Sequence, residues 1–132
     1  MTNSKRKGKC GELEAAHAIE DAWGLKVRRT AQVDGKLSAD LLIEGRPGLH
    51  LEVKRRKRIA SMQFLYQAVA DAAKGPSGPT GLIPVVISRE DGRGGWAVTI
   101  ALDDAIDFAT WIKANTNTLI GMQLKAPAAA PQ

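Results

Sequence analysis

Three ionisable side chains lie at a spacing that would bring them together on two neighbouring strands. Glu52 and Lys54 are two residues apart, so on a strand they share one face. If the turn before them centres on Arg46, Asp40 faces Glu52 across a hairpin. Two carboxylates that close repel each other unless a positive charge lies between them, and a divalent metal ion is the obvious candidate.

The strands that would carry these residues are predicted from the alternation of apolar side chains. Apolar residues recur at every second position over about 39–44 and again over about 49–55. Residues 44–48 between them contain two glycines and a proline, which suit a tight turn. The stretch from 38 to 58 is therefore predicted to form a β-hairpin.

A third carboxylate, Glu12, lies on a predicted helix that runs from about Lys9 to Trp23 and is ended by Gly24. It occupies the N-terminal end of the face that is predicted to be buried, which continues through Ala16 and Ile19. Glu12 either points toward the surface on which the helix packs or is an exposed residue favoured by the helix dipole.

Further strands and helices alternate along the chain. Strands are predicted at about 25–30, 82–88 and 96–101, and helices at about 62–74 and 103–114. Asp103 is the predicted cap of the last helix, and Ile106 is among its predicted inward residues. Pro84 lacks a backbone donor, which predicts an edge position or a late start for its strand. The whole order predicts an α/β fold, with a central mixed β-sheet of about five strands flanked by helices.

Length and composition indicate a single domain. The 132 residues are predicted to comprise a flexible basic arm (1–8), one domain (9–114) and an Ala- and Pro-rich, largely disordered tail (115–132). One cysteine excludes an internal disulfide, and two histidines disfavour a zinc site. No apolar run approaches the roughly 18 residues of a membrane span, and the basic N-terminus lacks the apolar block of a secretory signal. We expect a cytoplasmic protein, bacterial, archaeal or phage-encoded.

Positive charge is clustered beside the candidate carboxylates. The formal net charge of +5 results from 19 Lys and Arg against 14 Asp and Glu. Clustered basic residues are typical of a polyanion-binding surface, although such a run can also serve solubility alone. The candidate DNA-binding residues in these clusters are Lys5, Arg6, Lys7, Lys9, Arg28, Arg29, Arg55, Arg56, Lys57 and Arg58.

Oxygen ligands beside an amine suit the hydrolysis of a phosphodiester bond. Mg²⁺ is commonly held by one or two carboxylates together with substrate phosphates. Lys54 could orient the attacking water, deprotonate it, or meet the developing negative charge. The glycine-rich stretch 91–95 is not followed by Gly-Lys-Ser/Thr, so no P-loop and no nucleotide cofactor are expected.

These residues also carry a family resemblance. Asp40 followed by Glu52-Val53-Lys54 resembles the signature of the PD-(D/E)xK nucleases, with Ala39 in place of the usual proline. Arg6-Lys7-Gly8-x-x-x-Glu12 is similar to the start of the archaeal-type Holliday junction resolvases, in which a basic arm precedes a helical glutamate of the active site. The helix that carries Gln67 also follows the Glu-x-Lys strand, as in that family, which implies Gln67 as a further DNA-binding residue. The resemblance covers roughly 5–88.

The resemblance implies a restriction-endonuclease-like fold and a homodimer that cuts four-way DNA junctions symmetrically. It implies Mg²⁺ or Mn²⁺ as cofactor. The implied catalytic set is Glu12, Asp40, Glu52 and Lys54, and the predicted metal-binding residues are Asp40, Glu52, Val53 and Glu12.

Two alternatives stay open. The chain could be another nuclease of the same fold that acts on duplex or flap DNA, or a non-catalytic basic module that binds nucleic acid. The sequence contains no helix-turn-helix signature, no zinc finger and only six aromatic residues. These absences favour recognition of DNA shape over recognition of base sequence.

Overall fold

Helices and strands follow one another in the predicted order. The computed structural model describes residues 2–30, 39–74 and 82–116, and its elements below are those of these ranges. The helices are α1 (Thr2–Trp23), α2 (Ser61–Lys74) and α3 (Ala105–Asn115), with a 3₁₀ turn, Leu102–Asp104, before α3. The strands are β1 (Val27–Arg29), β2 (Leu41–Ile43), β3 (Leu49–Arg56), β4 (Ile83–Glu90) and β5 (Ala97–Thr99).

The five strands form one mixed sheet in the order β1-β2-β3-β4-β5. Strand β2 is antiparallel to both β1 and β3, β3 and β4 are parallel, and β5 is antiparallel to β4. A parallel pair needs a crossover connection, and α2 supplies it. The prediction of an α/β fold with a mixed five-stranded sheet flanked by helices is therefore confirmed.

The two faces of the sheet are covered by different helices. Alternate strand residues on one face pack with α1 and α3 in a core that includes Ile19, Leu41, Leu51, Ile87 and Trp111. On the other face, Leu65 and Ala68 of α2 pack with Val86 of β4. Because β3 alternates in the same way, its even-numbered residues lie on the α2 face.

The predicted register of the hairpin is confirmed. Leu41 pairs with Leu51, and these two residues are equidistant from Arg46. The backbone N–H of Asp40 also donates to the carbonyl of Leu51, at 2.9 Å, so Asp40 lies at an irregularity in the pairing just before β2 begins. Asp40 and Glu52 lie beside each other, since a side-chain hydrogen bond joins the two carboxyl groups.

Pro84 lies in a central strand, at a place where its missing N–H costs nothing. Ile83 donates its N–H to Gly48 on the β3 side, so the nitrogen of Pro84 points to the opposite side. The pairing of β5 with β4 begins only at Val86, which leaves the flank of Pro84 without a strand to bond. The predicted edge position is thus wrong for the strand as a whole.

The start of α1 and the cap of α3 differ from the predictions. Residues 2–8, predicted as part of a flexible arm, are helical. The segment contains no proline, Lys and Arg are good helix formers, and a single glycine costs only about 1 kcal/mol. At α3, Asp104 rather than Asp103 is at the N-cap, and Ile106, predicted to be inward, is exposed.

Several predicted segments lie outside the described residues. These are the loops at 31–38 and 75–81 and the tail from 117 onward. The side chains of Lys5, Arg6 and Lys7 are likewise outside the described part. Over the described ranges, no helix has the length and apolar character required to cross a membrane.

The hairpin turn packs against α3 through a contact between Gly48 and Trp111. The indole Nε1–H of Trp111 donates to the carbonyl of Pro47 at 2.9 Å. Gly48 has a φ of +128°, and a Cβ at this position would lie 2.8 Å from the Trp111 ring. The indole therefore packs directly on the backbone at the entry to β3.

Gly48→Ala is expected to lower the free energy of unfolding by about 3 kcal/mol, since it combines an unfavourable φ with an overpacked contact. The matched control is Gly45→Ala in the same turn, where φ is +73° and nothing lies within 4 Å of the added Cβ. The control should cost only about 1 kcal/mol. Urea unfolding measures both, and equal losses would contradict the packing of Trp111 on Gly48.

Candidate active site

Asp40 is held from both sides by backbone hydrogen bonds. Its carbonyl accepts from Thr30 N–H at 3.1 Å, and its N–H donates to Leu51 at 2.9 Å. Its side-chain Oδ2 accepts from the N–H of Val53 at 2.8 Å. The carboxyl group is therefore fixed in orientation between β1 and β3, directly beside the Glu-x-Lys segment.

Burial, and after it the negative charge of Glu52, raise the pKa of Asp40 to about 8. The hydrogen bond from Val53 N–H acts in the opposite direction, while the charge of Glu12 and a side-chain hydrogen bond with Glu52 also favour the protonated form. Three predicted carboxylates thus influence one another at this position. With its pKa raised to about 8, Asp40 is largely protonated at neutral pH in the absence of a cation.

Glu52 is a buried carboxylate with an unpredicted partner. It is 6% exposed, and its Oε1 lies 2.9 Å from Nε2 of His50, which is 3% exposed. His50 was not among the predicted site residues. Strand alternation could have indicated His50 as a site residue, since residues 50, 52 and 54 fall on one face of a strand.

Glu12 lies near the site but is bound to an arginine. Its Oε1 accepts from Nε of Arg29 at 2.7 Å, and its side chain is only 14% exposed. The alternative that Glu12 is simply exposed is therefore wrong. Arg29, predicted as a DNA contact, forms this ion pair instead of pointing freely into solvent.

The three carboxylates are close without forming a ready three-residue metal cage. Among the residues that the structure describes, no group of three or more His, Cys, Asp or Glu side chains is arranged to hold a metal ion. The third carboxylate, Glu12, is turned to Arg29. The closest arrangement is the adjacent pair Asp40 and Glu52.

Lys54 lies on the same face as Glu52, next along β3. It is half-buried, and its Nζ lies 5.5 Å from the centre of the Phe64 ring on α2. Such a cation–π contact holds an ammonium group without neutralising it. Lys54 therefore presents a positive charge at the edge of the carboxylate pair.

Val53 contributes through its backbone, because its side chain is in the core. Its N–H points toward β2, where it reaches Asp40. The N–H and carbonyl of one strand residue point to the same side, so the carbonyl of Val53 also faces this end of β2.

The predicted basic cluster of the hairpin divides into two parts. Arg55, on the opposite face from Lys54, forms ion pairs with Glu14 of α1 at 2.7 Å and with Asp91 at 3.3 Å. It therefore joins α1 to the end of β4. The exposed residues among the predicted DNA contacts are Lys9, Arg28, Arg56, Lys57, Arg58 and Gln67.

No protein-family model, no curated protein and no solved structure matches this chain.

Proposed function

We propose that this chain is a metal-dependent DNA endonuclease with a restriction-endonuclease-like fold. The observation that carries the proposal is the pair Asp40 and Glu52, whose carboxyl groups lie side by side, so that the charge of Glu52 helps to raise the pKa of Asp40. A fold that maintains two mutually repelling carboxylates in a partly buried position suits the binding of a cation.

The donor set fits Mg²⁺ or Mn²⁺. These ions prefer oxygen ligands, and Mg²⁺ characteristically uses one or two carboxylates and keeps several waters. Asp40 and Glu52 would hold the ion with the Val53 carbonyl beside them, and Glu12 is the further carboxylate of the set. When bound, such an ion lowers the pKa of a coordinated water and stabilises charge on a phosphate.

The chain's own residues have distinct tasks in this proposal. Lys54, half-buried over Phe64, is suited to orient the attacking water or to meet negative charge on the phosphate oxygens. Asp40 is held in one orientation by the N–H of Val53, which suits its carboxyl group to bind the ion. Arg56, Lys57 and Arg58 are exposed directly after these residues and are suited to contact flanking phosphates.

The double variant Lys57→Gln/Arg58→Gln is expected to reduce the slope of log affinity for DNA against log salt by roughly one to two. The physical reason is the loss of phosphate contacts that release counterions. Lys113→Gln on α3 is the matched control, because it removes an exposed positive charge near the other end of β3. Fluorescence anisotropy with a labelled four-way junction measures the slopes. Equal slopes for the wild type and the double variant would exclude these residues from the DNA contact.

We further propose that the substrate is a four-way DNA junction, cut symmetrically by a homodimer. This rests on the resemblance of Arg6-Lys7-Gly8-x-x-x-Glu12 to the archaeal-type Holliday junction resolvases. The small number of aromatic residues also favours recognition of shape and backbone rather than of stacked bases.

A cleavage assay separates the candidate functions. The protein is incubated with a labelled four-way junction and with the matching duplex, each in Mg²⁺ and in EDTA. Paired nicks in the junction with Mg²⁺ alone are the expected result. Equal cutting of junction and duplex would favour a nuclease of broader substrate range. Binding without cutting in any condition would favour a non-catalytic DNA-binding module.

A further inference from the structure

His50 and Glu52 form the most deeply buried polar pair in the described part of the sheet. The exposed fractions are 3% and 6%, and the Nε2–Oε1 distance is 2.9 Å. Burial of a carboxylate is costly unless a donor compensates it. His50 has no role in the chemistry proposed for Asp40, Glu52 and Lys54.

The position of His50 is rigid. It lies in β3, paired with Pro84 of the parallel neighbour β4, and its side chain is on the α2 face with Glu52. Since both residues belong to one strand, their separation is set by the strand itself. The imidazole can therefore constrain the Glu52 carboxylate without any loop movement.

We propose that His50 is a positioning residue, whose Nε2–H donates to Oε1 of Glu52 and thereby orients that carboxylate toward Asp40 and a bound divalent cation. The inference rests on the proposed function, because it assigns His50 to the support of that same metal-binding pair. Groups that hold metal ligands in place typically affect metal affinity by ten- to a hundredfold.

A purely structural role would have a different consequence. If the pair only satisfies two buried polar groups, the removal of His50 lowers stability without a specific effect on metal binding. If His50 acts by donating to Glu52, another side chain with a donor at the same distance should preserve metal binding. The amide nitrogen of glutamine can occupy the position of Nε2, whereas leucine has a similar bulk and no donor.

The test measures Mn²⁺ binding to the full chain by isothermal titration calorimetry, for wild type, His50→Gln and His50→Leu. Thermal unfolding in EDTA monitors the fold of each protein. We expect His50→Leu to weaken Mn²⁺ binding by about tenfold or more and His50→Gln to stay within about threefold of the wild type. If His50→Leu does not fold, His50→Asn replaces it, because its shorter amide does not reach Glu52.

The outcomes separate the two proposals. A wild-type protein that binds no Mn²⁺ would overturn the proposed function itself. Tight binding by the wild type and equally tight binding by His50→Leu would overturn the role of His50 alone. Equal weakening by His50→Gln and His50→Leu would also overturn it, since the donor would then not be the group that matters.

Discussion

Glu52→Gln is expected to reduce the rate of junction cleavage by about a thousandfold or more, while the affinity for DNA stays within about twofold of the wild type. Glutamine keeps the shape of Glu52 and can still accept from His50 through its amide oxygen. It removes the negative charge that would hold a divalent cation together with Asp40. Single-turnover cleavage in Mg²⁺ and anisotropy in EDTA measure the two quantities.

The matched control for this change is Glu44→Gln. Glu44 belongs to the same hairpin, is exposed, and its backbone N–H bonds to Lys26. Its neutralisation should leave both cleavage and binding unchanged. If Glu52→Gln also abolished DNA binding, or if it cut as fast as Glu44→Gln, then Glu52 would have a structural role only.

Asp40→Asn is expected to stabilise the metal-free protein increasingly as pH rises from about 4 to about 8. Burial first, and then the charge of Glu52, raise the pKa of Asp40 to about 8 from an ordinary value of 3.8. Over this interval the folded wild type retains a proton that the unfolded chain has lost, so the stability of the wild type falls with pH. One such group changes the free energy of unfolding by up to about 1.4 kcal/mol per pH unit.

Asparagine suits this position because it can accept from Val53 N–H and donate to Glu52 at every pH. Urea unfolding in EDTA at pH 5, 6, 7 and 8 measures the difference between the two proteins. Added Mg²⁺ should stabilise the wild type at pH 8 and leave Asp40→Asn unaffected. A constant difference between the two proteins across these pH values would contradict the raised pKa of Asp40.

The hairpin register could be predicted because two independent signals agreed. The alternation of apolar residues around Leu41 and Leu51 indicates which side chains lie on the buried face of each strand. The Gly- and Pro-containing turn places the centre of the hairpin at Arg46. A one-residue slip would have moved both leucines out of the core. Local pattern and burial therefore determined the pairing of Leu41 with Leu51, which brings Asp40 close to Glu52.

The partners of the charged side chains were harder to predict. The ion pair between Glu12 and Arg29 depends on how α1 crosses β1, which no local pattern encodes. Arg55 was grouped with its basic neighbours, although strand alternation places it on the face opposite Lys54, where it meets Glu14. Consecutive charged residues on a strand point alternately to its two faces, so a run of like charges does not form one surface cluster there.

The Asp40–Glu52 site is tested most directly by the Mg²⁺ dependence of nicking at a four-way junction, with wild type, Asp40→Asn and Glu52→Gln purified in parallel. We expect the wild type to nick the junction at a rate that rises with Mg²⁺ and saturates, and to be inactive in EDTA. Both variants should be inactive at every Mg²⁺ concentration. Nicking by the wild type in EDTA, or equal nicking by all three proteins, would contradict a metal-dependent active site at this pair.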